Sequence, residues 1–276
     1  MPSFKQEYDS FDTFVARVSD ESVPTWEGHR SSQDEPDKWS GNVTVKESVQ
    51  LASYGWRKGR DQMSNELDMA HNSTSFERLP TYEYDVAGYM PNIPLYVAGC
   101  PSHMMSPLGN ESAMGKVVDI KVNISASHVN SPERLMRRGA SILSLIDKLE
   151  DSGLSCNVNA CEYTKASSGK GFFLIEFPIK KAGQPMDIDR CAYALVHPSM
   201  LRKLCFVACE QEPKALGGWG HGYGVPMNLP IHERQGCVYF PELSDMIEDD
   251  MESQMAKTIE IYENQTSGKD WDGSEL

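Results

Sequence analysis

Apolar residues recur at helical spacing near both ends of the chain and alternate along its middle. Phe4, Tyr8, Phe11, Val15 and Val18 predict an amphipathic helix over residues 5–18. Residues 20–42, rich in Ser, Asp, Glu, Pro and Gly, predict a loop. Thr44 and Glu47 then stand at capping-box spacing, Val45, Val49 and Ala52 follow, and Gly55 supplies a stop, so a short helix is expected there. Residues 62–92 show no strong period. Val118, Ile120, Val122 and Ile124 alternate as a strand. Pro132 and Glu133 open a helix whose Ile142, Leu145, Ile146 and Leu149 share a face, ended by Gly153. Residues 155–163 and 172–179 read as the two strands of a hairpin. Asp187 begins a helix carrying Ile188, Cys191, Ala192 and Leu195, which Pro198 ends. Leu204-Cys205-Phe206-Val207-Ala208-Cys209 is an unbroken apolar run and predicts a strand buried on both faces. A short strand at 237–240 precedes a final helix over 244–262, with Ile247, Met251, Met255, Ile259 and Tyr262 inward.

Strand and helix alternation implies a three-layer α/β fold, Rossmann-like, with a mostly parallel sheet and one antiparallel hairpin. The expected division is an irregular, helical N-terminal segment over 1–92 packed on the core, the α/β domain over 93–262, and an acidic mobile tail over 263–276.

Composition narrows the function classes. The net charge is −14, so bulk attraction to nucleic-acid phosphate or to an anionic membrane needs a local basic patch. The acid is concentrated: residues 240–276 hold eleven acidic side chains against two lysines. No apolar stretch is long enough to cross a bilayer, and the first residues lack the pattern of a secretory signal. The seven cysteines form no C-x-x-C pair and mostly sit in apolar runs, which points to buried free thiols in a reducing, cytoplasmic setting. Common catalytic signatures are missing. There is no H-E-x-x-H and no G-x-S-x-G. Ser168-Gly169-Lys170 lacks the upstream glycine of a P-loop, because position 164 is threonine. Gly217 to Gly224 is glycine-rich but follows no dinucleotide pattern, and reads as a flexible loop. His197, before Pro198, reads as a capping or packing residue.

The pattern richest in chemistry is Asn123-Ile124-Ser125-Ala126-Ser127, at the end of the first strand of the α/β region. Carboxyl ends of parallel strands are where such folds bind ligands. This pattern resembles the metal-ion-dependent adhesion site of von Willebrand factor A-type (vWA) domains, which reads Asp-x-Ser-x-Ser. The resemblance spans roughly residues 115–243 and implies a binding module that works through protein interaction. It also implies weak Mg²⁺ coordination by Asn123, Ser125 and Ser127 with Asp187 or Asp189, and Glu210 held through water. Asn123 departs from the family's aspartate and removes one charge.

A second resemblance covers more of the chain. Trp39-Ser40-Gly41, Gly55-Trp56-Arg57-Lys58-Gly59, Asp85-Val86-Ala87-Gly88, Gly99-Cys100-Pro101, Arg137-Arg138-Gly139-Ala140, Asp187-Ile188-Asp189-Arg190 and His197-Pro198-Ser199-Met200-Leu201-Arg202 are similar to a family of uncharacterised phage and bacterial proteins. It implies a viral or mobile-element origin and carries no activity with it.

The leading expectation is therefore a non-catalytic accessory protein with a vWA-like module and a protein partner. The alternative is single-stranded nucleic-acid binding in phage replication or transcription. Cations interleaved with aromatics would serve it: Trp56, Arg57, Lys58, Arg60, Arg137, Arg138, Arg202, Lys203, Trp219 and Tyr223. The acidic C-terminus is similar to the partner-recruiting tails of single-stranded DNA-binding proteins. A metal-dependent hydrolase is the third class, and the lack of an acid/base pair or nucleophile at usable spacing weighs against it.

Overall fold

The computed structural model describes residues 3–25, 35–59, 81–88, 90–108, 117–165, 171–212, 223–243 and 250–266. The chain opens with strand β1 (Ser3–Glu7), then helices α1 (Phe11–Ser19) and α2 (Val45–Tyr54). A small unit follows: β2 (Thr81–Asp85), β3 (Met90–Pro91), α3 (Ile93–Val97) and β4 (Met104–Leu108). The main run is β5 (Val117–Asn123), α4 (Pro132–Asp151), β6 (Ser155–Lys165), β7 (Phe172–Lys180) and α5 (Ile188–Val196). Next come the π-helical α6 (Met200–Cys205), continuing into α7 (Phe206–Glu210), then β8 (Val225–Pro226), a 3-10 turn at Ile231–Glu233, β9 (Val238–Phe240) and α8 (Met251–Thr266).

The principal sheet has the order β1-β7-β6-β5-β9, with β8 added to the end of β6. Three of its pairings are parallel, β1 with β7, β5 with β6 and β5 with β9, whereas β7 and β8 run antiparallel to β6. A separate antiparallel sheet has the order β2-β4-β3 and runs across residue 92, where the sequence suggests a boundary.

Side-chain parity divides the principal sheet. Ile120, Val122, Val158, Ala160, Phe173, Ile175 and Phe177 join the main core with the helices, and Leu145, Leu195 and Leu204 reach them from α4, α5 and α6. On the other face a smaller cluster of Cys161, Leu174 and Tyr239 is covered by Leu229, beside an ion pair between Lys121 and Glu176 at 2.8 Å. The mixed α/β layering expected from the alternation is thus present.

Local signals explain several ends. Thr44 and Glu47 form the capping box of α2, Ser131 caps α4 and Asp187 caps α5 through its side chain. Gly139 lets α4 approach α5 closely: an added Cβ would stand 2.3 Å from the Leu195 carbonyl oxygen.

Three sequence expectations are corrected. Residues 5–18 are not one helix. Ser3–Glu7 pairs in parallel with Phe172–Glu176, and the helix begins after Ser10, whose side chain accepts from the Thr13 N–H. Residues 204–209 are helical, not a strand; β9 takes the place beside β5 instead. The final helix runs on to Thr266, four residues past its expected end, while residues 244–249 lie outside the described residues.

Candidate functional site

The carboxyl ends of β5 and β6 open onto a cavity of about 310 Å³. Ser125, Ser127 and His128 line it from beyond β5, and Glu162 and Thr164 from the last turn of the β6 pleat. Arg202 and Phe206 come from α6 and α7, Trp39 from the loop before α2, and Tyr223 to Pro226 from the far rim. Its size is at the lower end for small-ligand sites, and its place matches the usual ligand position in α/β sheets.

The serines divide in role. Ser125 Oγ accepts from the Tyr163 N–H at 2.8 Å and donates to the Tyr163 carbonyl at 3.2 Å, so its hydroxyl knits the strand ends together. Ser127 stands at the cavity wall.

Glu162 is the unusual group. Its parity places it on the apolar face of β6, in line with Val158 and Ala160, and it is 1% exposed. The Cys205 thiol donates to its carboxyl group, yet among the described residues Glu162 Oε2 has no hydrogen-bond partner, and neither has Thr164 Oγ1 two residues on. Burial pushes the Glu162 carboxyl up to about 8, with the Cys205 hydrogen bond opposing. Buried polar atoms are nearly always paired in folded proteins, so two orphans in one cavity mark a place where a partner is expected.

The walls are aromatic and basic. Phe206 and Tyr223 stack with ring centres 3.8 Å apart, and Trp39 lies 6.0 Å from Phe206. The Arg202 guanidinium sits 4.2 Å from the Trp39 ring centre and donates to the carbonyls of Trp39 at 2.6 Å and Asn130 at 2.5 Å. Burial lowers Arg202 to about 10, so it remains charged at neutral pH. The Tyr223 hydroxyl donates to Glu210 Oε1 at 2.5 Å.

The six proposed metal ligands do not form one constellation. Ser125 and Ser127 reach the cavity, and Glu210 stands behind Tyr223. Asn123 points to the opposite face, where its Nδ2 donates to the Met227 carbonyl and the Tyr239 hydroxyl. Asp187 and Asp189 are at the other end of the sheet. β7 runs antiparallel to β6, with Lys180 opposite Val158, so the chain enters α5 near where β5 and β6 begin. Asp187 is spent there as a cap, and the Asp189 backbone carbonyl accepts from the Trp56 N–H. Among the described residues no group of three or more His, Cys, Asp and Glu side chains is placed to hold a metal ion. The residues present therefore do not fit the Mg²⁺ site that the vWA resemblance implies.

The nucleic-acid set is similarly scattered. Arg138, Arg202 and Lys203 are buried, and all three donate to backbone carbonyls. Arg138 also donates to the Pro241 carbonyl. Trp56 is buried edge-on to His197, with ring centres 4.7 Å apart. Arg57 and Lys58 are exposed and Arg137 is partly so, away from the cavity lining. Arg60 and Trp219 lie outside the described residues. Of the described members of this set, Arg202 and Tyr223 line the cavity.

Sequence reasoning missed Glu162, Thr164, Trp39 and Phe206 as cavity residues. The signal for Glu162 was present: in the alternation Cys156, Val158, Ala160, Glu162, a carboxylate occupies an inward position. Phe206 was concealed by reading its helix as a strand.

Several of the spaced motifs pack on one another. His197 packs under Gly41, Gly55 under Asp189, and Gly139 against Leu195. Comparison with curated proteins and with solved structures gives no match. Residues 2–266 match the family described as Domain of unknown function (DUF7192). A match of that extent places the chain in the DUF7192 family.

Proposed function

We propose that this protein is a non-catalytic binding module whose working surface is the cleft at the carboxyl ends of β5 and β6, and that its ligand there is another protein. The observation that carries the reading is the pair of unpartnered oxygens, Glu162 Oε2 and Thr164 Oγ1, in a ring-walled cavity at the strand ends. The hydroxyl best placed for chemistry, Ser125 Oγ, is committed to the Tyr163 backbone in both directions. A recognition role asks only for shape and hydrogen bonds, which the site supplies. The central parallel β5, the helix after it and the β6–β7 hairpin support the vWA-like part of the reading. A phage or mobile-element setting is supported by the spaced motifs alone. Seven unpaired thiols favour a reducing, cytoplasmic compartment. Among the described residues no helix is long and apolar enough to cross a membrane.

A photoreactive amino acid placed at exposed His128, on the cleft rim, tests the reading in cells expressing the full chain. The expected result is a nuclease-resistant, protease-sensitive adduct that the same residue at exposed Tyr54, outside the cleft, does not give. A nuclease-sensitive adduct, or equal adducts from both positions, overturns it.

A further inference from the structure

The orphaned carboxyl oxygen in the cleft indicates what kind of group the cleft takes. We propose that the cavity receives a protonated side chain, the guanidinium or ammonium group of an arginine or lysine on a partner protein, with Glu162 as its anchor. This rests on the strand-end reading above and gives it a ligand chemistry.

Three observations carry it. Glu162 Oε2 and Thr164 Oγ1 lie two residues apart on the same face of β6, and both lack hydrogen-bond partners among the described residues. An entering N–H donor group satisfies both, since a carboxylate accepts from two donors and a hydroxyl accepts one more. Second, the walls are rings. Trp39, Phe206 and Tyr223 suit the methylene stem of a basic side chain, which buries its carbons against ring edges while its charge reaches an acid. Third, charge is complementary at long range: the chain carries −14, which draws basic partners.

The same geometry disfavours a nucleobase as occupant. Phe206 and Tyr223 spend a face on each other at 3.8 Å, and the Trp39 face is covered by Arg202 at 4.2 Å. The ring faces available for stacking a base are therefore reduced, while the ring edges and the acid remain.

Insertion moves one proton. With its carboxyl near 8, Glu162 is about nine-tenths protonated in the empty cleft at pH 7. The incoming cation stabilises the carboxylate, so the carboxyl proton leaves to solvent and an ion pair takes its place. The groups facing Glu162 do not supply that charge themselves. From β6 it has Thr164, from α6 the Cys205 thiol and Arg202, and from α7 Cys209 and Glu210; His128 and Tyr223 stand across the cavity. Arg202 is the one fixed cation among them, and its donors go to the Trp39 and Asn130 carbonyls.

Titration calorimetry of the full chain with N-acetyl-arginine methylamide tests this, run at pH 7 in two buffers of different ionisation enthalpy. The neutral isostere N-acetyl-citrulline methylamide and cytidine 5′-monophosphate serve as comparison probes. The expected result is saturable arginine binding, with a dissociation constant on the order of millimolar, and close to one proton released per ligand. Citrulline should bind at least about tenfold more weakly and release none, as should arginine with the Glu162→Gln variant. Equal binding of the citrulline probe, arginine binding without proton release, or binding of the nucleotide alone overturns the proposal. The two readings fail separately. A protein adduct from position 128 with a silent arginine titration removes the cation assignment and leaves the binding module. Arginine binding with a nuclease-sensitive adduct removes the protein partner.

Discussion

The guanidinium of Arg202 lies over the ring of Trp39, 163 residues earlier in the chain, 4.2 Å from the ring centre, and donates to the carbonyl of that same residue at 2.6 Å. Its other nitrogen donates to the Asn130 carbonyl at 2.5 Å. One buried cation thus ties together the loop before α2, the segment after β5 and helix α6, the three elements that enclose the cleft with β6.

Lysine at this position keeps the charge but cannot fork to two carbonyls or stack on the indole. Arg202→Lys is therefore expected to cost about 2–4 kcal/mol, because a buried cation loses partners and a buried carbonyl is left unpaired. The urea midpoint checks this. A change below about 0.5 kcal/mol would mean that the bridge adds nothing to folding.

Gly139→Ala tests the close approach of α4 to α5. Alanine gains about 1 kcal/mol of helix propensity in an isolated helix. Here its methyl would meet the Leu195 carbonyl at 2.3 Å and the Val196 Cα at 2.8 Å, both backbone atoms that cannot rotate aside. Separation of the helices is expected to outweigh the propensity gain, leaving a net loss of about 1–3 kcal/mol, read from thermal or chemical unfolding. A more stable variant would show that the two helices part easily.

The parts of the fold legible in the sequence are those whose signal is local. Thr44/Glu47, Pro132/Glu133 and Asp187 mark real helix starts, and the alternation of Val118 to Ile124 marks the central strand. The parts that failed depend on distant partners. Ser3–Glu7 has one large apolar residue, Phe4, and becomes a strand only by pairing with Phe172–Glu176. All of Leu204–Cys209 but Phe206 is buried, so the run shows no polar face, and periodicity cannot separate a buried helix from a buried strand. The ligand site was half legible for the same reason. Position along the chain placed Ser125 and Ser127 correctly at a strand end. The location of Asp187, by contrast, depends on β7 running antiparallel, which local pattern does not reveal.

His197 should make stability fall on the acid side. Its Nδ1 accepts from the Ser199 N–H at 3.2 Å, and Trp56 and Tyr193 flank the ring. Burial lowers it from 6.5 to about 4. A base with a depressed folded value contributes stability that is whole above the unfolded value. That stability is lost as pH falls from 6.5 toward 4, because only the unfolded chain takes up the proton. The slope is about 1.4 kcal/mol per pH unit and the total roughly 3 kcal/mol. His197→Asn keeps an acceptor near the Ser199 N–H without titrating, so its unfolding midpoint should fall less between pH 6.5 and 4.5. Parallel curves for the two proteins would mean that His197 titrates normally in the fold.

Glu162 should act in the opposite direction. Its folded value is about 8, above the ordinary 4.5. Below 4.5 both states hold the proton and the residue costs nothing. As pH rises from 4.5 to 8, the unfolded chain releases the proton while the folded chain keeps it, so stability declines; above 8 the decline stops. Glu162→Gln has the same shape and no ionisable proton, so it is expected to stabilise the empty protein by about 4 kcal/mol at pH 8 and to change little at pH 4. A residue that lowers stability at working pH and leaves one carboxyl oxygen unpartnered among the described residues fits a place kept for a ligand. Denaturation at the two pH values, with and without the arginine probe, separates the alternatives. The probe should narrow the gap at pH 8 by binding only the native Glu162 protein. If Glu162→Gln instead destabilises the protein at pH 8, the carboxylate already has a partner in the fold, and the cleft is not waiting for a cation.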